Sequence, residues 1–371
     1  MSLLSSSLRP PSYSLIGLCV LQLTSSLWAQ QLRAELPFPY HPNRVGAQAY
    51  AQGGAFVAQS GSVAGMLFNP ASIAALAGKL AFTIEAGCNS RTEYQPFFND
   101  TFSKQTHLVQ FAGVAIVPRA RWAVGAYFFQ PTDYELDFGE FAAAGASARV
   151  NEESLFARRQ LGFGINLARK MSATWQLGLG VEWRRAEVRD EVLGVLARGD
   201  AHDIRFALGG IVQVRDWQIG AALHSEYKAA SDALFTYNDQ RTSERMHFSA
   251  KEPASIRVGF VSPALWSRLR VSGDAEYKNF ANSEPIPRGQ FYGGTTLKLS
   301  SQVELAAGVF TFRKDYSAFV DGPRSEVFLT GGGTLKFGGL HLTISYMEGD
   351  VLNENFEGQR FVNLAAGMVL R

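Results

Sequence analysis

Six histidines are the first candidates for chemistry in this chain. His41, His107, His202, His224, His247 and His341 are scattered, and no pair stands at a metal-ligand spacing. No Gly-x-Ser-x-Gly elbow or P-loop occurs. Gly162-Phe163-Gly164 and Gly178-Leu179-Gly180 fall inside strand-like segments, where glycine permits packing or a bend rather than phosphate binding. Serines and histidines are present, but no spacing selects a catalytic pair. Of the two cysteines, Cys19 lies in the N-terminal leader and Cys88 is then alone, so no internal disulfide is expected. The formal net charge of +2 gives no basis for nucleic-acid binding. The residues therefore predict neither an enzyme nor a cofactor, and function must be sought in the elements that carry them.

Those elements are strands. In 217–228, Trp217, Ile219, Ala221, Leu223 and Tyr227 share one parity, and Gln218, His224, Glu226 and Lys228 share the other. In 269–278, Leu269, Val271, Ala275 and Tyr277 alternate with Arg270, Ser272, Asp274, Glu276 and Lys278. A period of two places the two sets on opposite faces of a sheet. Fourteen such segments follow residue 78: 79–88, 106–117, 122–138, 155–168, 174–188, 203–214, 217–227, 254–262, 269–280, 290–299, 303–312, 326–337, 340–348 and 359–370. Every second connection is tight and the others are long and polar. Short turns at one end and long loops at the other are the asymmetry of bacterial membrane barrels. Trp122, Trp175, Trp217 and Trp266 gather beside the tight turns, as an interfacial girdle would. The expectation is an all-β chain: a 14-stranded antiparallel transmembrane β-barrel over residues 78–371. Two strands fit poorly. In 106–117, Gln110 breaks the apolar parity. Arg159 sits on the lipid-facing parity of its strand, where a mid-bilayer charge costs about 2–4 kcal/mol, so it is expected above the membrane.

Residues 1–29 read as a secretory signal, with Arg9 before a short apolar stretch and Ala29 at the cleavage point. Residues 30–77 do not read as strand. A Gly/Ala-rich run over 46–55, including Gly53 and Gly54, precedes Phe68-Asn69-Pro70-Ala71. Asn69 can cap a helix that Pro70 starts, predicted over 71–77. Small residues would let this segment fold as a plug inside the barrel.

The Gly/Ala-rich run followed by Phe68-Asn69-Pro70-Ala71 resembles the N-terminal hatch of the FadL-type outer-membrane transporters. Glu252-Pro253-Ala254-Ser255-Ile256-Arg257-Val258-Gly259-Phe260 is similar to that family's Pro-Ala-Ser strand, and Val271-Ser272-Gly273-Asp274-Ala275-Glu276-Tyr277 resembles the strand after it. The resemblance spans nearly all of residues 30–371. The chain departs from it in its shorter loops and in its end, Val369-Leu370-Arg371, where many outer-membrane barrels finish on an aromatic. It implies a monomeric barrel in the bacterial outer membrane, in contact with outer-membrane lipid, for passive uptake of hydrophobic molecules such as long-chain fatty acids or hydrocarbons. PorV-like barrels share the Asn-Pro-Ala segment and serve protein secretion. Secretion or envelope assembly, with secretion proteins as partners, is therefore the alternative.

On either reading Asn69, Pro70, Ala71, Gly53 and Gly54 are the plug and gating candidates. Phe97, Phe98, Phe138, Phe141, Leu234 and Phe235 are candidates for ligand capture among the outer segments, or else pack those segments together. Pro131 cannot donate to a ladder, so it marks a bulge, a kink or the end of pairing in the third strand. A kink within the membrane would open the wall sideways into lipid, the use to which the resembled family puts its third strand. Above the bilayer it would be a rim residue.

Overall fold

The computed structural model describes residues 45–90, 105–119, 121–140, 153–192, 195–236, 243–279, 289–314, 324–349 and 360–370. Sixteen strands form one antiparallel sheet. They are β1 (Leu80–Ser90), β2 (Gln105–Arg119), β3 (Trp122–Glu140), β4 (Glu153–Lys170), β5 (Trp175–Val192), β6 (Val195–Val214), β7 (Trp217–His224), β8 (Tyr227–Thr236), β9 (Ser243–Glu252), β10 (Ser255–Val261), β11 (Leu269–Lys278), β12 (Gly289–Lys298), β13 (Val303–Lys314), β14 (Arg324–Phe337), β15 (Leu340–Glu348) and β16 (Arg360–Leu370). β7 and β8 are two lengths of one stave, and β9 and β10 are two lengths of the next. The barrel thus has fourteen staves, as the sequence predicts. It closes where β1 pairs along its length with β16, from Leu80 opposite Leu370 to Ser90 opposite Arg360.

The period of two becomes an outside and an inside. Ile165, Leu179, Phe206, Phe291 and Leu364 point outward and are each more than half exposed. A continuous apolar exterior of this kind is the face a barrel turns to hydrocarbon. Asn166, Glu182, Arg205, Asp274, Ser345 and Asn363 point inward and are buried. Trp175, Trp217 and Trp266 are exposed at the tight-turn end. β3 to β6 contain 18 to 20 residues each, where a tilted strand crosses a bilayer in about 9–11. These staves therefore continue past the hydrocarbon. Parts of the segments expected to be loops, 189–202 and 228–253, are instead paired backbone in β5, β6, β8 and β9. Arg159 keeps the outward parity and is exposed. It lies roughly one membrane crossing (about 9–11 residues) from Arg169 at the tight-turn end, consistent with a place above the bilayer.

Irregularities change the faces at several points, and two of them bear on the patterns read from the sequence. β2 bulges at Gln110: Glu85 pairs with Phe111 and Ala86 with Val109. Gln110 and Phe111 consequently both point inward and are buried, which accounts for the mixed pattern of that strand. The second irregularity corrects the reading of 217–228. Ser225 leaves the ladder, its amide donating to the Phe206 carbonyl at 2.9 Å and its Oγ accepting from the Phe206 amide at 2.9 Å. Beyond it the faces exchange. Tyr227 is only 1% exposed and points into the lumen, while Glu226 and Lys228 are exposed.

The described residues before β1, 45–79, lie inside the barrel. They hold a single-turn helix α1 (Ala47–Ala51) and two 3-10 turns, Ala64–Leu67 and Pro70–Ala75. Gly53 and Gly54, at φ 70° and 74°, stop α1 in a conformation that favours glycine. The helix expected over 71–77 is the second 3-10 turn. It starts at Pro70 and stops at Leu76, whose ψ of 134° is already extended. α1 packs on β13–β16 and the second 3-10 turn on β3–β6, so the segment bridges the barrel from wall to wall.

Candidate functional site

Asn69 organises one end of the plug. Its Oδ1 accepts from the Ala71 amide at 3.0 Å, capping the turn. Its Nδ2 donates to the carbonyls of Val57 (2.8 Å), Gly210 (3.1 Å) and Ala221 (3.3 Å), tying the plug to itself and to two staves. Such contact needs a wall without side chains. A Cβ on Gly209 would stand 1.9 Å from Asn69 Oδ1, and one on Gly178 would stand 2.4 Å from the Ala71 amide nitrogen. At the other end the Gly53 amide donates to Thr330 Oγ1 at 3.0 Å, and the wall glycines Gly294 and Gly308 admit the backbone of Gln52 and Gly53.

Two wall carboxylates bind plug amides. Glu85 accepts from the Gly46 amide at 2.8 Å and the Ala47 amide at 2.6 Å. Asp274 Oδ2 accepts from the amides of Phe56 (2.8 Å) and Val57 (3.0 Å). The same oxygen takes Arg257 Nη2 at 2.7 Å and Nε at 2.9 Å, and Arg257 also donates to the Gly54 carbonyl. Gly46 and Ala47 open α1 and Phe56 and Val57 follow it, so none of these amides is bonded within a helix, and the carboxylates satisfy groups that burial would otherwise orphan.

Toward the long-strand end the plug forms the floor of a cavity of about 150 Å³. Tyr50, Leu67 and Phe68 come from the plug. The wall contributes two kinds of surface. One is an ion lattice on β5, β6, β9, β10 and β11. Arg184 bonds Glu182 at 2.6 Å and also pairs with Glu252; Arg205 reaches Glu252 at 3.1 Å; Lys278 lies 3.8 Å from Glu276. Tyr127 Oη donates to Glu182 at 2.7 Å, and Tyr292 Oη lies 2.8 Å from Glu276. The other surface is aromatic. Tyr292, Phe310 and Phe328 stack in sequence across β12–β14, with centroids 6.0 Å and 4.8 Å apart, and Tyr50 of the plug meets Phe310 at 5.4 Å. Arg257 joins the two kinds of surface, its guanidinium 3.9 Å from the Tyr292 ring centroid.

The wall parts beside this cavity. β2 and β3 pair only as far as Phe111 opposite Phe129. Beyond that point β2 follows β1 past its bulge at Gln110, and β3 follows β4 past its own bulge at Gln130 and Pro131, between Phe129 and Thr132. Pro131, with no amide proton, sits where the ladder is broken. It lines the cavity. Phe111, Tyr127 and Phe129 pack in a buried column at the point of divergence, with centroids 6.1 Å and 5.7 Å apart. On the outside, just below, is a shallow groove of about 570 Å³ with Ala112 and Ala126 in its floor and Phe82, Ile84, Val114, Phe128, Phe163 and Ile165 around it.

No family model and no curated protein matches this sequence. Solved structures do. The toluene transporter TbuX of Ralstonia pickettii aligns with a TM-score of 0.65 at 14% identity, over 88% of this chain and 98% of that one. A FadL homologue of Pseudomonas aeruginosa gives 0.68 at 13%, over 88% and 98%. The toluene transporter TodX of Pseudomonas putida gives 0.62 at 14%, over 87% and 96%. The fold is that of the FadL-type channels.

Within this FadL-type fold the residues singled out in the sequence separate. Asn69, Pro70, Ala71, Gly53 and Gly54 come together with the wall in the plug, and Pro131 lies at the parting of β2 and β3. Phe138 belongs to β3, and Leu234 and Phe235 to β8, where Ala197 of β6 pairs with Phe235. Phe97, Phe98 and Phe141 lie outside the described residues. Sequence reasoning missed the ion lattice, because its members come from strands far apart in the chain. Glu182-x-Arg184 and Glu276-x-Lys278, each two opposite charges on one inward parity, were its local signs.

Proposed function

We propose that the chain is a bacterial outer-membrane channel for passive entry of hydrophobic small molecules, hydrocarbons or long-chain fatty acids among them, and not an enzyme. The observation that carries this reading is the parting of β2 and β3 at the level of a plugged lumen. A lumen filled by bonded plug backbone gives no straight aqueous path, while a break in the ladder beside an aromatic-lined cavity gives an apolar molecule a way into lipid. The TbuX and TodX structures, described as toluene transporters, share the fold and add support. In this reading residues 30–77 are the plug, with Asn69, Pro70, Ala71, Gly53 and Gly54 its gating residues. The aromatics of the outer strands and loops collect the cargo.

The ion lattice narrows the cargo. Arg184, Arg205, Arg257 and Lys278 each face a carboxylate. A neutral molecule, a hydrocarbon or a protonated fatty acid, can occupy the cavity without displacing a buried pair, whereas an ionised one must compete with a buried pair whose breaking costs about 3–5 kcal/mol. Mass spectrometry of the gently purified protein should find apolar small molecules carried with it. Cells producing it should take up a labelled hydrocarbon faster than cells lacking it. Uptake at the control rate, with the barrel folded in the outer membrane, would end the proposal.

A further inference from the structure

A second cavity lies on the opposite side of the plug, at the tight-turn end, and belongs to neither the aromatic wall nor the opening. It encloses about 230 Å³. Its wall is made by the inward-facing last residues of four adjacent staves. Arg268 comes from the turn just before β11 and Arg270 from its start, Lys298 from the end of β12, Glu304 from the start of β13 and Lys336 from the end of β14. Register holds them side by side: Lys298 is opposite Glu304, and the Lys298 amide donates to the Arg268 carbonyl at 2.9 Å. Four cations thus face one carboxylate, and that carboxylate is already bonded to Lys336 at 2.5 Å.

The placement is not that of a rim meeting headgroups from outside. Leu297, Leu305 and Leu335, on the alternate parity of the same strands, point to lipid, so the cations point to the lumen. The roof is the plug. Gln48, Gln52 and Gln59 line the cavity from above, and Gln52 Oε1 accepts from Thr296 Oγ1 at 3.0 Å. That bond uses the oxygen of the Gln52 amide and leaves its NH₂ as a donor. A concave cup with an excess of one sign of charge concentrates the opposite ion. Guanidinium groups add fork-shaped donors suited to oxyanions.

We propose that this cup binds a phosphate group entering from the tight-turn end. Free phosphate matches the excess of cations better than a single carboxylate does, because it brings more charge and more acceptor oxygens; a lipid phosphodiester brings a single charge, but on a tetrahedral centre with four oxygens. Bound there, it would touch wall and plug together. The group could be free phosphate or the phosphate of a phospholipid headgroup, and the test separates the two.

The full chain, folded in an uncharged detergent, is titrated calorimetrically with inorganic phosphate and, separately, with dihexanoylphosphatidylglycerol, at constant ionic strength set with chloride. One site per barrel is expected for at least one of them. The Arg270→Gln/Lys298→Gln protein should bind that ligand at least ~10-fold more weakly, whereas Arg215→Gln, at another tight turn outside the cup, should bind as the parent does. Arg270→Lys/Lys298→Arg keeps the charge and should keep binding. Saturation by phosphate assigns the free ion; saturation by the lipid alone assigns the headgroup. No saturation by either ligand in the parent protein would overturn the proposal. So would equal weakening by Arg215→Gln, which would reduce the effect to general surface charge.

Discussion

Removing the Asp274 carboxylate should release the plug while leaving the barrel closed. One oxygen, Oδ2, holds the amides of Phe56 and Val57 and both contacting nitrogens of Arg257, and the side chain is only 1% exposed. Asp274→Ala orphans two buried backbone donors, each worth about 1–3 kcal/mol. It also breaks a buried ion pair, a loss of about 3–5 kcal/mol. These terms overlap, because the same oxygen serves all four donors, so we take ~3–5 kcal/mol as the whole penalty. The barrel ladder makes no use of that oxygen: Asp274 pairs through its backbone with Gly259 and Tyr292. The penalty is therefore relieved by lifting Phe56 and Val57 into water rather than by unfolding strands. At about 1.4 kcal/mol per tenfold, the undocked fraction should rise by roughly two to three and a half orders of magnitude. Single-channel recording in planar bilayers reads this as longer or more frequent open events. Heat-modifiable migration on gels checks that the barrel is intact. Asp274→Asn keeps an acceptor oxygen and should fall between parent and Ala. A folded Asp274→Ala barrel with parental currents would refute the claim that this carboxylate docks the plug.

Crowding the wall should act in the same direction by another route. A Cβ on Gly308 would meet the Gly53 amide nitrogen at 2.3 Å, so Gly308→Val should raise conductance in a folded barrel, and parental conductance counts against close docking. Pro131→Val restores a donor at the β3 bulge; uptake of a labelled hydrophobic substrate should slow with folding unchanged, and parental uptake would leave Pro131 a rim residue. Leu223 faces lipid and Tyr227 the lumen, so Leu223→Arg should lose about 2–4 kcal/mol of folding stability in lipid vesicles and Tyr227→Arg markedly less; equal losses would contradict the exchange of faces. In a Cys88→Ser background on intact cells, Asn282→Cys should be labelled by an impermeant reagent and Asp216→Cys should not; the reverse result inverts the orientation.

The barrel was legible in the sequence because each stave carries its own evidence. Leu179, Val181 and Trp183 against Gly180, Glu182 and Arg184 is a complete argument within one strand, and turn lengths supplied the order. The reading failed where backbone geometry changes without a change in composition. Tyr227 looks like the next apolar residue after Leu223, and nothing in Ser225-Glu226 announces that the ladder is left there. Gln110 did announce its bulge, since a buried amide and a buried phenylalanine cannot alternate as neighbours without one. Asp274 was visible only as a residue on the polar parity of its strand, and nothing in the sequence singled out Glu85. That they accept plug amides depends on residues 218 and 39 positions away, and no local pattern carries such a pairing.

The same limit explains why glycine was the least informative residue to read and is among the most consequential in the folded chain. Gly178, Gly209, Gly220, Gly294 and Gly308 would each bring a Cβ within 2.5 Å of a plug atom. In sequence they resemble ordinary weak points in strands. In the barrel they form the inner surface against which a Gly/Ala-rich segment lies backbone to backbone. At those points neither side has a side chain to define a position, and the hydrogen bonds of Asn69, Glu85 and Asp274 locate the plug there, while Val63, Met66 and Ile73 elsewhere pack into the wall cluster of Phe111, Tyr127 and Phe129. Directional bonds at separate points along the segment can break one at a time. On that argument the plug should leave its seat stepwise. The Glu85 end and the Asp274 end share no plug residue and should respond separately, so Asp274→Ala combined with Glu85→Ala should give an open fraction close to the product of the single effects, whereas Asn69 and Asp274 both hold Val57 and their double variant should depart from it.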